Sequence, residues 1–361
     1  MDKIVHIIGT GTIGEPLIGL LARHKDKFGI DEVTFHKNTP LKHDASKVKQ
    51  LIAKGARLAT DRDKFDGFKS LSIEPIFDRE EAISRATVVV DCTPKGVGLA
   101  NKRAYYEKYK DRVKGFIAQG SEFGFGKMYA RGITELTSED QFVHVVSCNT
   151  HNIAALIKSL EQPLSSVTPG GIISGDFVCL RRANDISQNS GFVAAPTVDR
   201  HDDTEFGTHH ARDATHLLRE QFPHLKLFSS SLKLNTQYMH AIRFAINVDH
   251  IGNDRATVLG VLDRFRDNPY VALTNKRSAN DVFSFGRDQG LYGRILSQTV
   301  VVEPTISVRR AQMGHIVSGF CFTPQDGNSL LSSIAATLHF LDPELVDERL
   351  SCYNPYIFQE I

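Results

Sequence analysis

Apolar residues crowd the first positions of the chain and then recur at helical spacing. The stretch "KIVHIIGTGTIGEPLIGLLARH" predicts a buried strand, a glycine turn and a helix whose apolar stripe is Ile13, Leu17, Ile18 and Leu21. About ten residues later "DEVTFHKN" predicts a second strand. "LKHDASKVKQLIAKGARLATDRDKF" has the pattern of an exposed helical stretch, and "EEAISRA" that of a short helix. "TVVVDCTP" is β-rich and stopped by Pro94, and "GFIAQGS" and "FVHVVSC" predict two more strands. Strands alternating with helices over about the first 150 residues predict an α/β region built on a doubly wound parallel sheet.

The pattern changes after Leu160. Longer strands appear in "GGIISGDFVCLRRA", "LKLFSSSLKL" and "HAIRFAINVDH", and a loop-like stretch, "NDISQNSGFVAAPTVDRHDD", separates the first two. Together with helices such as "HHARDATHLLREQF" and "DRATVLGVLDRFRDN", they predict an α+β domain with a largely antiparallel sheet. Beyond "RILSQTVVVEPTISV" the texture shifts again, and "SLLSSIAATLHFL" is an apolar helix expected to return to the first domain. The expected organisation is therefore three segments: 1–147, 148–302, and a C-terminal 303–361 packing back on the first.

Composition narrows the function classes. In 361 residues, 43 Lys and Arg nearly cancel 42 Asp and Glu, so no global field favours nucleic acid or an anionic membrane. An anionic ligand must be held by local groups. The five cysteines are scattered without zinc spacing, so no metal site and a reducing compartment are expected. The N-terminus lacks the features of a signal peptide, and no apolar run reaches the length of a spanning helix; a soluble cytoplasmic protein is expected.

Gly9, Gly11 and Gly14 form a G-x-G-x-x-G pattern directly after a predicted strand and at the opening of a predicted helix. The first glycine permits the tight turn, the second lets a pyrophosphate approach the backbone, and the third allows close helix packing, with amides at the helix start facing the anion. This context predicts a Rossmann-type dinucleotide-binding domain. Where the second strand ends, an NAD-preferring protein usually carries an acid; here stand Lys37, Asn38 and Thr39. A cation and two small polar groups suit a 2′-phosphate, so NADP is favoured, with NAD also usable. The alternative is that Lys37 is only a solvated loop lysine.

Cys148 lies at the end of "FVHVV" and the start of "NTHNIAALIKSL". At a helix N-terminus, amides and the helix dipole lower a thiol's pKa and favour the nucleophilic thiolate. Ser147, Asn149 and Thr150 can cap that helix or bond substrate oxygens. Taken by itself, the cysteine reads as an inert core residue rather than a nucleophile; the dinucleotide fold placed before it reverses that preference.

The string "SCNT" at 147–150 resembles the nucleophile motif of glyceraldehyde-3-phosphate dehydrogenases, and its surroundings are similar to the archaeal-type, or type II, branch. "VVVDCTPKGVGLANKRAYY" looks like that branch's segment after the fourth strand, and "FIAQGSE" is similar to its F-Q-G-G-E. "LRRAND" is similar to R-R-A-A-D, "THHARDA" to S-H-H-x-x-D-V, "MHAIRFAINV" to M-H-x-H-F-I-N, and "ILSQTVVVEP" to H-Q-E-S-x-V-V-P. The matches are colinear to about Pro304. The resemblance implies that Cys148 is the nucleophile and His240 the general base. It implies thiolate addition to an aldehyde, hydride transfer to a nicotinamide, and attack of inorganic phosphate on the resulting thioester. Two anion sites are then needed, with Arg181, Arg182, His209, His210 and Thr150 as candidates; adjacent arginines alternate faces on a strand, and by resemblance Arg182 lies near cofactor or phosphate. Thr12, Ile13, Ser121 and Gln298 are carried over as cofactor contacts, and a homotetramer assembled through second-domain sheets is implied.

The sequence departs from the pattern at three places. His151 stands where the family has a second threonine, Ser121 replaces a glycine, and "SQNSGFVAAP" replaces a stretch with two positive charges. These positions touch the phosphate and cofactor neighbourhoods. Other readings are therefore a thiol-dependent dehydrogenase of another phosphorylated aldehyde or semialdehyde, and a dinucleotide sensor without chemistry.

Overall fold

In the computed structural model, which describes residues 2–161, 171–186, 191–236, 238–249 and 258–361, the apolar run near the start forms β1 (Ile4–Ile8) with every residue buried. A strand buried on both faces needs parallel neighbours and helices above and below it. It has them: β1 pairs in parallel with β2 (Glu32–His36) and with β4 (Val88–Asp91). Beyond them lie β3 (Arg57–Ala59), β5 (Gly115–Gly120), β7 (Phe142–Val146) and β6 (Lys127–Tyr129). Among the described residues the sheet has seven strands in the order β3-β2-β1-β4-β5-β7-β6, with the strand order reversing between β1 and β4. The helix Gly14–Arg23 buries Leu17, Ile18 and Leu21 of the predicted stripe together with Leu20, whereas Ile13 is its half-buried N-cap.

The chain divides into two compact units. The first comprises Met1–Arg131, Glu135–Val145 and Leu330–Cys352, and the second Gly132–Thr134, Val146–Ser329 and Tyr353–Ile361. In the second unit, β8 (Ile172–Arg181) pairs in parallel with β10 (Lys226–Lys233) and antiparallel with β11 (His240–Val248). Outward from β10 lies β9 (Thr197–Val198); outward from β11 come β15 (His315–Thr323), β13 (Thr299–Val302) and β12 (Val271–Thr274), and β14 (Ser307–Arg310) also pairs with β15. Only β8–β10 and β12–β13 are parallel among these pairs, so the sheet is mixed and largely antiparallel. Residues of β11 alternate between buried and half-buried, as a sheet with one covered face requires. The helix Cys148–Ser159 packs on that covered face. The α/β class with a parallel first sheet and a second, largely antiparallel one is the architecture expected.

Several local expectations change. The stretch 41–65 is not one helix: it holds the helix Ala45–Ala53, then β3, where Leu58 and Ala59 are fully buried beside β2. The segment 303–361 does not return as a whole to the first unit. Residues 303–329 supply β14 and β15 to the second sheet, Leu330–Cys352 belongs to the first unit, and the last nine residues, Tyr353–Ile361, rejoin the second. The physical reason is backbone pairing, because β15 bonds to β11 along its full length and cannot leave that sheet. In the first unit, Gly115 leaves room for Phe340, whose ring a Cβ there would meet at 2.2 Å. Residues 187–190 of the altered loop lie outside the described residues.

The glycine turn after β1 divides its labour. Gly9 has φ +96°, a left-handed conformation, and a Cβ there would sit 2.9 Å from the Cys92 carbonyl oxygen. A Cβ on Gly14 would lie 2.1 Å from the Gly9 carbonyl oxygen, whereas one on Gly11 would meet nothing within 4 Å. Gly14→Ala is therefore expected to destabilise the protein by about 1–3 kcal/mol through overpacking. Gly11→Ala should change stability by less than about 0.5 kcal/mol. Denaturant midpoints of the two variants check this, and equal effects would contradict the division.

Candidate active site

In the first unit, the backbone beside Gly11 stands open, and the following helix has Ile13 at its N-cap, where no side chain bonds the first-turn amides. An open backbone before a helix start fits a pyrophosphate, with the Glu15 amide already given to the Gly11 carbonyl oxygen at 3.0 Å. Gly9 and Thr10 continue into a pocket of about 410 Å³ whose far wall includes His36, Lys37, Asn38, Thr39 and Arg79. The Lys37 ammonium lies 2.7 Å from Asp44, and the buried Oδ1 of Asn38 has no hydrogen-bond partner among the described residues. Lys37 is thus an ion-paired side chain at the pocket wall, not a solvated loop lysine.

Two buried carboxylates hold the loops around this end. Asp91, at the end of β4, accepts from the Thr93 amide at 2.9 Å, from Asn101 at 2.8 Å and from Tyr106 at 2.5 Å. Glu122 follows Ser121 in the loop after β5, and its carboxylate accepts from the backbone N–H groups of Gly96 and Leu99 at the start of the helix Val97–Ala104. That fixes the half-buried Ser121 beside the turn after β4. Burial nevertheless raises the Glu122 pKa, against the lowering from those amides. Sequence reading passed over Glu122; an acid directly after the predicted strand "GFIAQGS" was the available signal.

The second unit holds the thiol. Ser147 is the N-cap of the helix Cys148–Ser159, with extended backbone, and its Oγ accepts from the Thr150 amide at 3.4 Å and lies 2.9 Å from Thr150 Oγ1. Cys148 is the first helical residue and is half-buried. Around it run bonds with a consistent direction. Asn152 Nδ2 donates to Thr323 Oγ1 at 2.8 Å, Thr323 Oγ1 donates to Asn149 Oδ1 at 3.1 Å, and Asn149 Nδ2 reaches His210 Nε2 at 3.4 Å. Asn149 is thereby engaged at both ends of its amide. His210 is buried at the start of the helix His209–Leu217, and its Nδ1 lies 3.4 Å from Ser147 Oγ; the His209 and His210 rings are 4.0 Å apart. Two helix N-termini, Ser147, Thr150 and His210 thus share one neighbourhood beside the thiol.

His151 is fully buried, and its Nδ1 donates to the Ser147 carbonyl oxygen at 3.0 Å. It therefore packs back along the first turn of its own helix. Asn328, which sequence reading missed, donates from Nδ2 to the carbonyl oxygens of Cys148 and Gln298, each at 3.1 Å. It is fully buried, as is Gln298, and it ties the nucleophile candidate to a segment about 150 residues away in sequence. No local pattern announces such a bond.

The adjacent arginines part company. Arg181 pairs with Asp199 at 3.2 Å, with its side chain about a third exposed. Arg182 has its side chain buried to 1% and pairs with Asp185 at 2.8 Å. Its positive charge lowers the Cys148 pKa, which places Arg182, not Arg181, in the field of the thiol. The Arg182 amide donates to His240 Nδ1 at 3.1 Å. Because an amide N–H can only donate, that nitrogen carries no proton, and neutral His240 keeps its proton on Nε2. Burial, followed by the charges of Arg182 and Arg181, pushes His240 down to about 3.

The thiol also differs from expectation. Helix-start amides were expected to lower its pKa, but burial dominates and pushes it up to about 11, with Arg182 opposing. A raised thiol pKa favours the neutral form, so the thiolate fraction grows about tenfold per pH unit until pH approaches that value. Alkylation of Cys148 by iodoacetamide, corrected with Cys148→Ser, is expected to accelerate with unit slope from pH 7 to pH 10. A plateau below pH 8 would contradict a neutral resting thiol. Among the described residues no cluster of three or more His, Cys, Asp or Glu is placed to hold a metal ion, and no helix is long and apolar enough to cross a membrane.

Comparison with known proteins adds to this geometry. No family model matches the chain. It is 25% identical over 312 residues to a protein named glyceraldehyde-3-phosphate dehydrogenase from Pyrobaculum islandicum, covering 84% of this chain and 83% of that one. A Methanosarcina mazei protein of the same name is 26% identical over 295 residues, 79% of each chain. Glyceraldehyde-3-phosphate dehydrogenase 2 of Methanosarcina acetivorans is 24% identical over 334 residues, 86% of this chain and 93% of that one. Across most of its length, then, the chain is similar to archaeal glyceraldehyde-3-phosphate dehydrogenases, the family its dispersed motifs resemble.

Proposed function

We propose that the chain is a phosphorylating dehydrogenase that oxidises glyceraldehyde 3-phosphate through a thioester on Cys148. The observation that carries this reading is one neighbourhood of the second unit. There the thiol at a helix start follows Ser147, whose Oγ reaches Thr150 and His210, and lies in the field of buried Arg182.

In this reading Cys148 Sγ adds to the aldehyde carbon, and the thiol proton ends on the former carbonyl oxygen, giving a hemithioacetal. The general-base role inferred for His240 becomes a donor's role. With its proton on Nε2, it stabilises charge on that oxygen as sulfur adds. A bound nicotinamide dinucleotide would supply the hydride acceptor for conversion of the adduct to a thioester, the hemithioacetal's hydroxyl proton leaving to solvent. Inorganic phosphate then attacks the thioester carbon, the C–S bond breaks, and the sulfur recovers a proton as the acyl phosphate departs. Ser147, Thr150, His209 and His210 hold the phosphate groups, with the amides of two helix starts and the charge of Arg182. In the first unit the dinucleotide is held at Gly9, Gly11, Thr12, Ile13 and Gly14, with Lys37, Asn38 and Thr39 toward its ribose and Ser121 as a further contact; in the second unit the residues assigned to the cofactor are Arg182 and Gln298.

A second reading, oxidation of a different phosphorylated aldehyde or a semialdehyde, is favoured by His151, whose buried ring stands where the resembling family has threonine. Steady-state rates with glyceraldehyde 3-phosphate, with and without phosphate, separate the two. Phosphate-dependent turnover is expected, and Cys148→Ser should lower kcat at least about a thousandfold. Normal turnover by that variant would end the thioester mechanism.

We also propose a cytoplasmic homotetramer. All five cysteines are free thiols, which suits a reducing compartment. The face of the second sheet opposite the helix Cys148–Ser159 bears Phe320, 41% exposed, opposite Arg243 in the register of β11 and β15. Phe320→Asp is expected to shift the assembly to smaller species in light scattering; an unchanged mass would place the interface elsewhere.

A further inference from the structure

The far wall of the pocket in the first unit contains a cation that the motifs do not single out. Arg79 begins the helix Arg79–Arg85, more than forty residues after the strand end where cofactor choice is normally read. Its guanidinium is held on three sides. Nη1 donates to the Tyr105 hydroxyl at 2.8 Å, Nη2 to Asp61 at 2.8 Å, and Nε points to His36 Nε2 at 3.4 Å. The guanidinium carbon also lies 5.0 Å from the centre of the Tyr105 ring.

The charges are arranged asymmetrically about the pocket. Lys37 and Arg79 line it, while their acids, Asp44 and Asp61, do not, and among the described residues no carboxylate contributes to the lining. Burial pushes His36 down to about 4, so at neutral pH it adds no charge of its own. The two cations are not equivalent. The Lys37 ammonium is turned to Asp44, which Lys47 also approaches at 3.3 Å, and its side chain is 10% exposed. The Arg79 side chain is 23% exposed and presents a planar fork whose orientation Tyr105, Asp61 and His36 have already set. A guanidinium fixed before a ligand arrives binds an oxyanion without an ordering penalty.

We propose that Arg79 sets the cofactor preference of this chain, binding the 2′-phosphate of NADP, with Lys37 in a secondary role. The inference rests on the reading that the first unit binds a nicotinamide dinucleotide. Asp61 balances the arginine when the ribose carries only a hydroxyl, so NAD is accepted more weakly.

Fluorescence titration of the full chain with NADPH and with NADH tests this without relying on turnover. The wild-type protein is expected to bind NADPH more tightly. Arg79→Gln should weaken NADPH binding about 10- to 100-fold, the effect of losing a hydrogen bond to a charged group, and change NADH binding by less than about threefold. Lys37→Gln should have the smaller effect on the ratio. Arg79→Lys, which keeps the charge without the fork, should fall between wild type and Arg79→Gln and serves if the glutamine variant fails to fold. Equal weakening of both cofactors, an unchanged ratio, or a wild-type preference for NADH would overturn the proposal. A wild-type chain that binds neither would instead overturn the dinucleotide reading itself.

Discussion

Everything proposed for the second unit depends on burying the first turn of one helix without orphaning its polar groups. A buried polar group lacking a partner costs about 1–3 kcal/mol, and Cys148–Ser159 begins with a serine cap, two asparagines, a threonine and a histidine. The structure meets that demand with groups from distant parts of the chain. Thr323 of β15 joins Asn149 to Asn152, Asn328 takes the Cys148 carbonyl, and His210 closes the outer side. The thiol is therefore placed by a network whose members fix one another. Such networks lend a site rigidity because each bond orients the donor of the next.

That origin explains what was legible in the sequence. The parallel sheet was legible because buried strands such as β1 and β4 are continuous apolar runs, and the glycine turn because steric demands permit few residues there. Short strands escaped: β3 has three residues and β12 four, too few to show a period. At the thiol, Ser147 and Thr150 were readable as caps since capping is local. The direction of the Cys148 pKa was not, because local amides lower it and burial by remote side chains raises it further. Asn328 and Arg79 were invisible for the same reason, their partners lying in other elements. The tail 303–361 misled because its apolar helix is obvious, whereas the pairing of β15 with β11 is written in neither strand alone.

The first unit meets a different constraint, the cost of placing charge beside a pocket. Its answer is to pair each lining cation with an acid outside the lining, as Lys37 with Asp44 and Arg79 with Asp61. Local neutrality then coexists with a lining that presents only positive groups. The near-zero net charge of the whole chain, which excluded a global electrostatic role, is compatible with strong local recognition.

The neutral state of Cys148 also bears on chemical durability. Peroxides attack thiolates, and sulfenic acid is the first rung of a ladder whose later rungs are irreversible. With its pKa pushed up to about 11, the resting sulfur offers an oxidant almost no anion at neutral pH. A rise in pH, or any group that takes the proton, would open the same route. In an organism exposed to bursts of oxidant, the idle protein would outlast one whose cysteine waits as an ion pair.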